Sequence, residues 1–152
     1  MNPQVAQNYL RTRVLTATPE QLQLMLYDGA IRFAEQARPA LEARNWEVSH
    51  VALTRAQKIM TELTSSLRHD VAADMCGRLA GLYNFVYRKL VEANVNHQVE
   101  PLDDALRILR YQRETWALLM EQLGKQKAAT AAKNVNFPEP SSRMEASISV
   151  QG

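Results

Sequence analysis

"TATPEQLQLMLYDGAIRF", residues 16–33, decides how the chain folds. Thr18 stands where an N-cap belongs, Pro19 at the first helical position and Gln21 three residues after the cap. That is a capping box with the proline that helix starts favour, because the missing N–H would have no partner there anyway. A helix is therefore expected from Pro19 to Ala43. Pro39 lies inside it and should kink it or end it early, since its ring displaces the carbonyl one turn back.

Of residues 22–27, five of six are apolar: Leu22, Leu24, Met25, Leu26 and Tyr27. At ~100° per residue, Leu22, Phe33, Leu26, Ala37, Ala30, Leu41, Ala34, Tyr27, Ile31 and Leu24 spread over roughly 200°, twice the ~100° stripe that a packed helix needs. Gln23, Arg38 and Glu20 interrupt the arc near the helix ends, and Met25 falls outside it. Any one such residue reads as core. The set exceeds what neighbouring helices cover, and contiguous apolar surface left over in a monomer marks a partner site.

Three more helical patterns follow. Asn45 is placed to cap a helix to about Arg68, with Val48, Ala52, Ala56, Ile59, Leu63 and Leu67 on one face and Val51, Leu53 and Met60 beside it. Asp70 is expected to cap a helix to about Ala93, with Met75, Leu79, Leu82, Tyr83, Val86 and Leu90 at helical spacing. It repeats the apolar surplus: from Leu82 to Val91 only Asn84, Arg88 and Lys89 are polar. "NVNHQVEP" reads as a turn-rich link. Pro101 opens the last pattern, with Leu102, Ala105, Leu109, Trp116, Leu119 and Leu123 on one side and Gly124 as its stop.

Short links force successive helices to reverse, so the expected fold is all-α, an antiparallel up-down four-helix bundle. The predicted parts are an N-terminal capping segment at 1–15, the bundle at 16–126 and a mobile tail at 127–152. The segment 1–15, with Val5, Tyr9, Leu10, Val14 and Leu15, is expected to lie over the surplus apolar surface when no partner is bound.

Composition agrees with one helical domain: 152 residues, 46% hydrophobic, 22% charged and five glycines. The net charge of +2, with both signs interspersed, argues against nucleic acid or anionic membrane as partner. No apolar run reaches the ~18 residues of a membrane span, and no basic-then-apolar leader opens the chain. The chain reads as cytoplasmic. Its one cysteine, Cys76, reads as a small buried hydrophobe.

Glu47 and His50 have the Glu-x-x-His spacing of bundle di-metal sites, but such a site needs a second motif and two further glutamates. His69 and His97 follow Ser66 and Asn94 at that spacing, so no metal site is expected. His50 reads as a surface or boundary residue. No phosphate loop, dinucleotide fingerprint or nucleophile pair is present, and neither an enzyme nor a cofactor is expected. Gly77 and Gly81 are read as close packing against a neighbour or a bound segment, or as a place where the helix bends. Arg107, Arg110, Arg113 and Glu114 read as a solvated face.

Four stretches in order, "TATPEQLQLMLYDGAIRF", "ALTRAQKIMTEL", "LAGLYNFVYRKLVEAN" and "RETW", closely resemble the flagellar secretion chaperones (FliS) over residues 9–126. The resemblance implies a cytosolic chaperone that binds the C-terminal segment of flagellin, prevents premature polymerisation and delivers it to the type III export gate. That segment is disordered in free flagellin and helical in the filament, so binding must order it at some cost in affinity. The candidate groove residues are Leu24, Tyr27, Ala56, Ile59, Met60, Leu63, Leu79, Leu82, Tyr83, Val86 and Tyr87. The substitutions Tyr83→Asp and Ile59→Asp are expected to abolish client binding and leave the bundle folded. Tyr9 and Leu10 are the candidates for docking at the export gate, or for capping the groove. The alternative is a helical adaptor or regulatory protein with another client. An empty apolar groove can also pair with itself, which allows a homodimer.

Overall fold

The computed structural model describes residues 2–134. The described chain is all-helical, with five helices where four were expected: α1 (Pro3–Thr16), α2 (Pro19–Glu42), α3 (Trp46–Ser65), α4 (Ala73–Asn96) and α5 (Val99–Asn134). It divides into two compact units, Met1–Ala117 and the residues from Leu118 onward.

α2 begins where the capping box places it. The Thr18 hydroxyl accepts from the Gln21 N–H at 3.1 Å, and the Gln21 side chain accepts from the Thr18 N–H at 3.0 Å. Pro39 does not end the helix early, because it falls in the last turn, where few hydrogen bonds remain to be broken. Asn45 caps α3 through the Val48 N–H. Asp70 does not cap α4: its carboxylate pairs with Arg68, and the helix starts three residues later behind Ala72, with no side-chain cap. The "NVNHQVEP" stretch is mostly helical, since α4 runs to Asn96 and α5 starts at Val99.

Within the first unit the core is a column of small and large residues. Ala30, Ala34, Ala37 and Leu41 of α2 meet Leu53, Ala56, Met60 and Leu63 of α3, Tyr83, Val86, Leu90 and Ala93 of α4, and Leu102, Ala105, Leu106 and Leu109 of α5. The alanines of α2 let its neighbours come close. So does Gly29, where an added Cβ would stand 3.1 Å from Cδ1 of Ile59.

α2 touches both α3 and α5 at several points along its length. Phe33 of α2 meets Arg55 of α3, and Gly29 meets Ile59. On α2 and α5, Asp28 pairs with Arg113 at 2.9 Å, Glu35 with Arg110 at 2.9 Å and Arg38 with Asp103 at 3.0 Å. Arg110 and Arg113, read as part of a solvated face, thus pair across two helices, while Arg107 pairs with Asp104 of its own helix. Each pair is partly exposed and contributes at most about 1 kcal/mol; the pairs between helices fix the register. The Arg113 and Arg38 guanidiniums are held above their ordinary pKa by hydrogen bonds to Asp28 and Asp103.

α1 departs from expectation: it buries no residue and does not cover the apolar surface. Tyr9 is 66% exposed and Leu15 74%. The helix has no continuous apolar stripe, because Arg13 falls on the wheel between the Val5–Tyr9 pair and the Leu10–Val14 pair, and any buried face would take a charge with it.

In the second unit, Gly124 does not stop the helix. The chain stays helical to Asn134, and Glu121 pairs with Lys125 across that glycine at 3.4 Å. Leu118, Leu119 and Leu123 are exposed. The mobile tail expected at 127–152 overlaps the end of α5, and residues 135–152 lie outside the described part.

Candidate functional site

α3 and α4 leave an open groove of about 600 Å³ between them, lined by Met60, Thr61, Thr64, Ser65, Ala80, Gly81, Asn84 and Tyr87. Its width follows from side-chain size. At Gly81 a Cβ would meet nothing within 4 Å, so this glycine faces open space, as does Gly77 one turn earlier, outside the groove lining. They do not pack against a neighbouring helix of this chain, as one reading of their spacing had it. Ala80 and Ser65 add little bulk, and the Thr64 hydroxyl is turned back onto the Met60 carbonyl at 2.8 Å. The floor is apolar and the walls are small, a shape that takes a helix backbone at close range.

Of the groove residues expected from the sequence, only Met60 and Tyr87 line it. Tyr27, Ala56, Leu63, Tyr83 and Val86 are core residues instead, and Met60 itself is buried beneath the groove floor. Leu24, Ile59 and Leu79 are half-buried. Leu82 and Tyr87 are exposed, at 39% and 38%, on the two flanks of α4. The apolar arc of α2 divides the same way: its centre is buried, Leu26, Phe33, Ile31 and Leu24 at its margins are half-buried, and Leu22 is exposed. The surplus is real, but it is distributed over margins.

Sequence reasoning missed Thr61, Thr64, Ser65, Ala80, Gly81 and Asn84. A signal for them existed. Thr61, Thr64 and Ser65 recur three and four apart on α3, opposite the Gly-x-x-x-Gly of α4, and small residues on facing helix stripes leave a channel when nothing fills it.

The core also holds a polar cluster. The Tyr27 and Tyr83 hydroxyls share a hydrogen bond, and the Gln23 amide donates to both, at 3.3 and 3.1 Å. Burial, reinforced by Tyr27, pushes the Tyr83 phenol well above its ordinary pKa. Nearby on α5, Gln112 is buried with neither end of its amide hydrogen-bonded. A second hollow, about 300 Å³, lies between α2 and α3 and is lined by Gln36, Glu47, Val48, Val51, Ala52 and Arg55. His50 lies beside Asn94, within 3.1–3.3 Å of its amide. Among the described residues no three His, Cys, Asp or Glu side chains cluster as metal ligands, and no helix is long and apolar enough to cross a membrane.

The sequence profile described as "Flagellar protein FliS" matches residues 1–123. The flagellar secretion chaperone FliS of Bacillus subtilis is 32% identical over 115 residues, which span 76% of this chain and 84% of that protein. The protein of the same name from Salmonella typhimurium is 29% identical over 112 residues, 73% of this chain and 83% of its own. A solved structure titled "Crystal structure of flagellar chaperone from bacteria" matches with a TM-score of 0.65 at 20% identity, covering 80% of this chain and 99% of its own. That likeness speaks for the helical fold. With the profile spanning α1 through most of α5, the chain belongs to the FliS family of flagellar proteins.

Proposed function

We propose that this chain is a flagellar secretion chaperone whose α2–α5 helices act as an antiparallel bundle that holds the C-terminal segment of flagellin, keeps it from polymerising in the cytoplasm and hands it to the export gate. The family match over residues 1–123 carries this reading. The α3–α4 groove supports it, because an open apolar channel walled by small residues suits an amphipathic helix that would otherwise seek its filament neighbours. Client anchors three and four apart would lie over Met60, Ala80 and Gly81, with Tyr87 and Thr61 at the edges. α1, with Tyr9 and Leu10 free on its surface, is the element offered to the gate.

Calorimetric titration with the flagellin C-terminal segment tests the reading. Binding should carry a negative heat-capacity change, the mark of apolar burial. Tyr87→Asp should abolish it while the circular dichroism spectrum stays unchanged. No heat from the wild-type chain at any concentration would overturn the proposal. Tyr9→Ala should leave client binding intact and weaken capture by the gate protein's soluble domain.

A further inference from the structure

The first two turns of α4 form one wall of the groove, yet little holds them down. Ala72 offers no side-chain cap, so the leading N–H groups of the helix have no side-chain partner. From Ala73 to Leu82 the only buried residue is Cys76, with Leu79 half-buried against the core. Two of those ten positions are glycine, the residue least favourable in a helix interior after proline. Val71 and Met75 flank this start at 72% and 65% exposure. The rest of α4 is different: Tyr83, Val86, Leu90 and Ala93 are all sealed in the core.

Where these turns meet the packed part of α4, the buried Tyr83 shares hydrogen bonds with Tyr27 and Gln23. Lys89 of α4 faces Asp104 of α5 at 4.0 Å. On α5, Arg113 pairs with Asp28 of α2 at 2.9 Å, so their sequence neighbours Gln112 and Tyr27 lie at a similar height. The unpaired Gln112 amide and the Tyr27–Tyr83–Gln23 cluster therefore sit at the height where the loose turns join the packed part. A buried amide without partners gains hydrogen bonds when water reaches it.

We infer that residues 73–81 are a movable wall: they open as a unit, independently of global unfolding, and the client enters the α3–α4 groove through the opened form. Few buried contacts, an uncapped start and a hydratable polar cluster are the features of a segment with low local stability. This inference rests on the proposed function for its client and not for its mechanics.

Two substitutions outside the groove lining close the wall without touching the client's seat. Ala72→Asp supplies the missing cap, and Gly77→Ala stiffens the helix at a site where the new methyl meets nothing. In the full chain, amides of 74–81 should exchange at least tenfold faster than those of 86–93. Each substitution should slow them about fivefold, and the pair about thirtyfold. The association rate of a synthetic flagellin C-terminal segment should fall by the same factor, because the entry-competent state becomes rarer. Equal protection of 74–81 and 86–93 in the wild type overturns the movable wall. Slowed exchange with an unchanged association rate overturns its part in client entry. Absence of binding by the wild type defeats the proposed function alone, and the exchange pattern still decides the wall.

Discussion

The two ends of the first unit are built differently. At one end α2 passes into α3 through Ala43–Asn45, and α4 into α5 through His97 and Gln98. There Asn45 caps α3, Trp46 stacks on His97 at 4.1 Å, and Arg38 grips Asp103 with two hydrogen bonds of 3.0 and 3.1 Å. At the other end seven residues, 66–72, join α3 to an uncapped α4 that carries two glycines, and Leu22, Met75 and Leu82 stand exposed. The first end is held by a cap, a ring stack and an ion pair, while the start of α4 at the second has no side-chain cap. Under the proposed function such a difference is expected, because a surface that must accept a partner cannot also be fully consumed by the core.

The sharpest attack on this contrast is Tyr83→Asp, at the boundary between the two ends. Tyr83 is fully buried, so an unpaired carboxylate there should cost more than about 4 kcal/mol and leave the chain unfolded by circular dichroism. That corrects the expectation that this variant would stay folded, since the ring is core and not groove. Leu53→Ala, at the closed end, should lose about 2–5 kcal/mol in urea denaturation.

Gln112→Leu should stabilise the chain by about 1 kcal/mol in the same assay, since the amide it removes is unsatisfied. A loss of several kcal/mol would mean that Gln112 has a partner, and the polar cluster would be misread. Tyr83→Phe should cost about 1 kcal/mol at neutral pH for the hydrogen bonds lost. It also tests the alkaline limb. The folded phenol titrates above its unfolded value, so its contribution is whole below about pH 10 and declines as the unfolded chain alone ionises at higher pH. The wild type should therefore lose stability above about pH 10 more steeply than the variant. Leu82→Ala, at the open end, should change stability by less than about 0.5 kcal/mol. If it cost as much as Leu53→Ala, the distinction between the ends would fail.

Local chemistry was legible where one residue acts on its own neighbours. Thr18 with Gln21, and Asn45, cap the helices they were expected to cap. The stops were harder to read. Among the described residues, the two in the left-handed region are Arg44 and His97, neither of them a glycine, while Gly124 passes unbroken through α5. A glycine ends a helix only when the chain gains by turning there, and that gain is tertiary. Asp70 lost its expected role to Arg68, a competition between two local hydrogen bonds that spacing alone does not rank.

Periodicity by itself determined that the chain is helical, where its apolar stripes lie and that they hold more than a packed helix requires, because side-chain order along a helix is fixed by its 3.6-residue turn. Which members of those stripes stay open was decided by packing. Tyr83 and Leu63 are enclosed because neighbouring helices happen to face them, and Gly81 with Thr64 lines a channel because nothing does. The fate of a side chain depends on what lies across from it, which is a property of helix pairs in space and has no address in the sequence of either one.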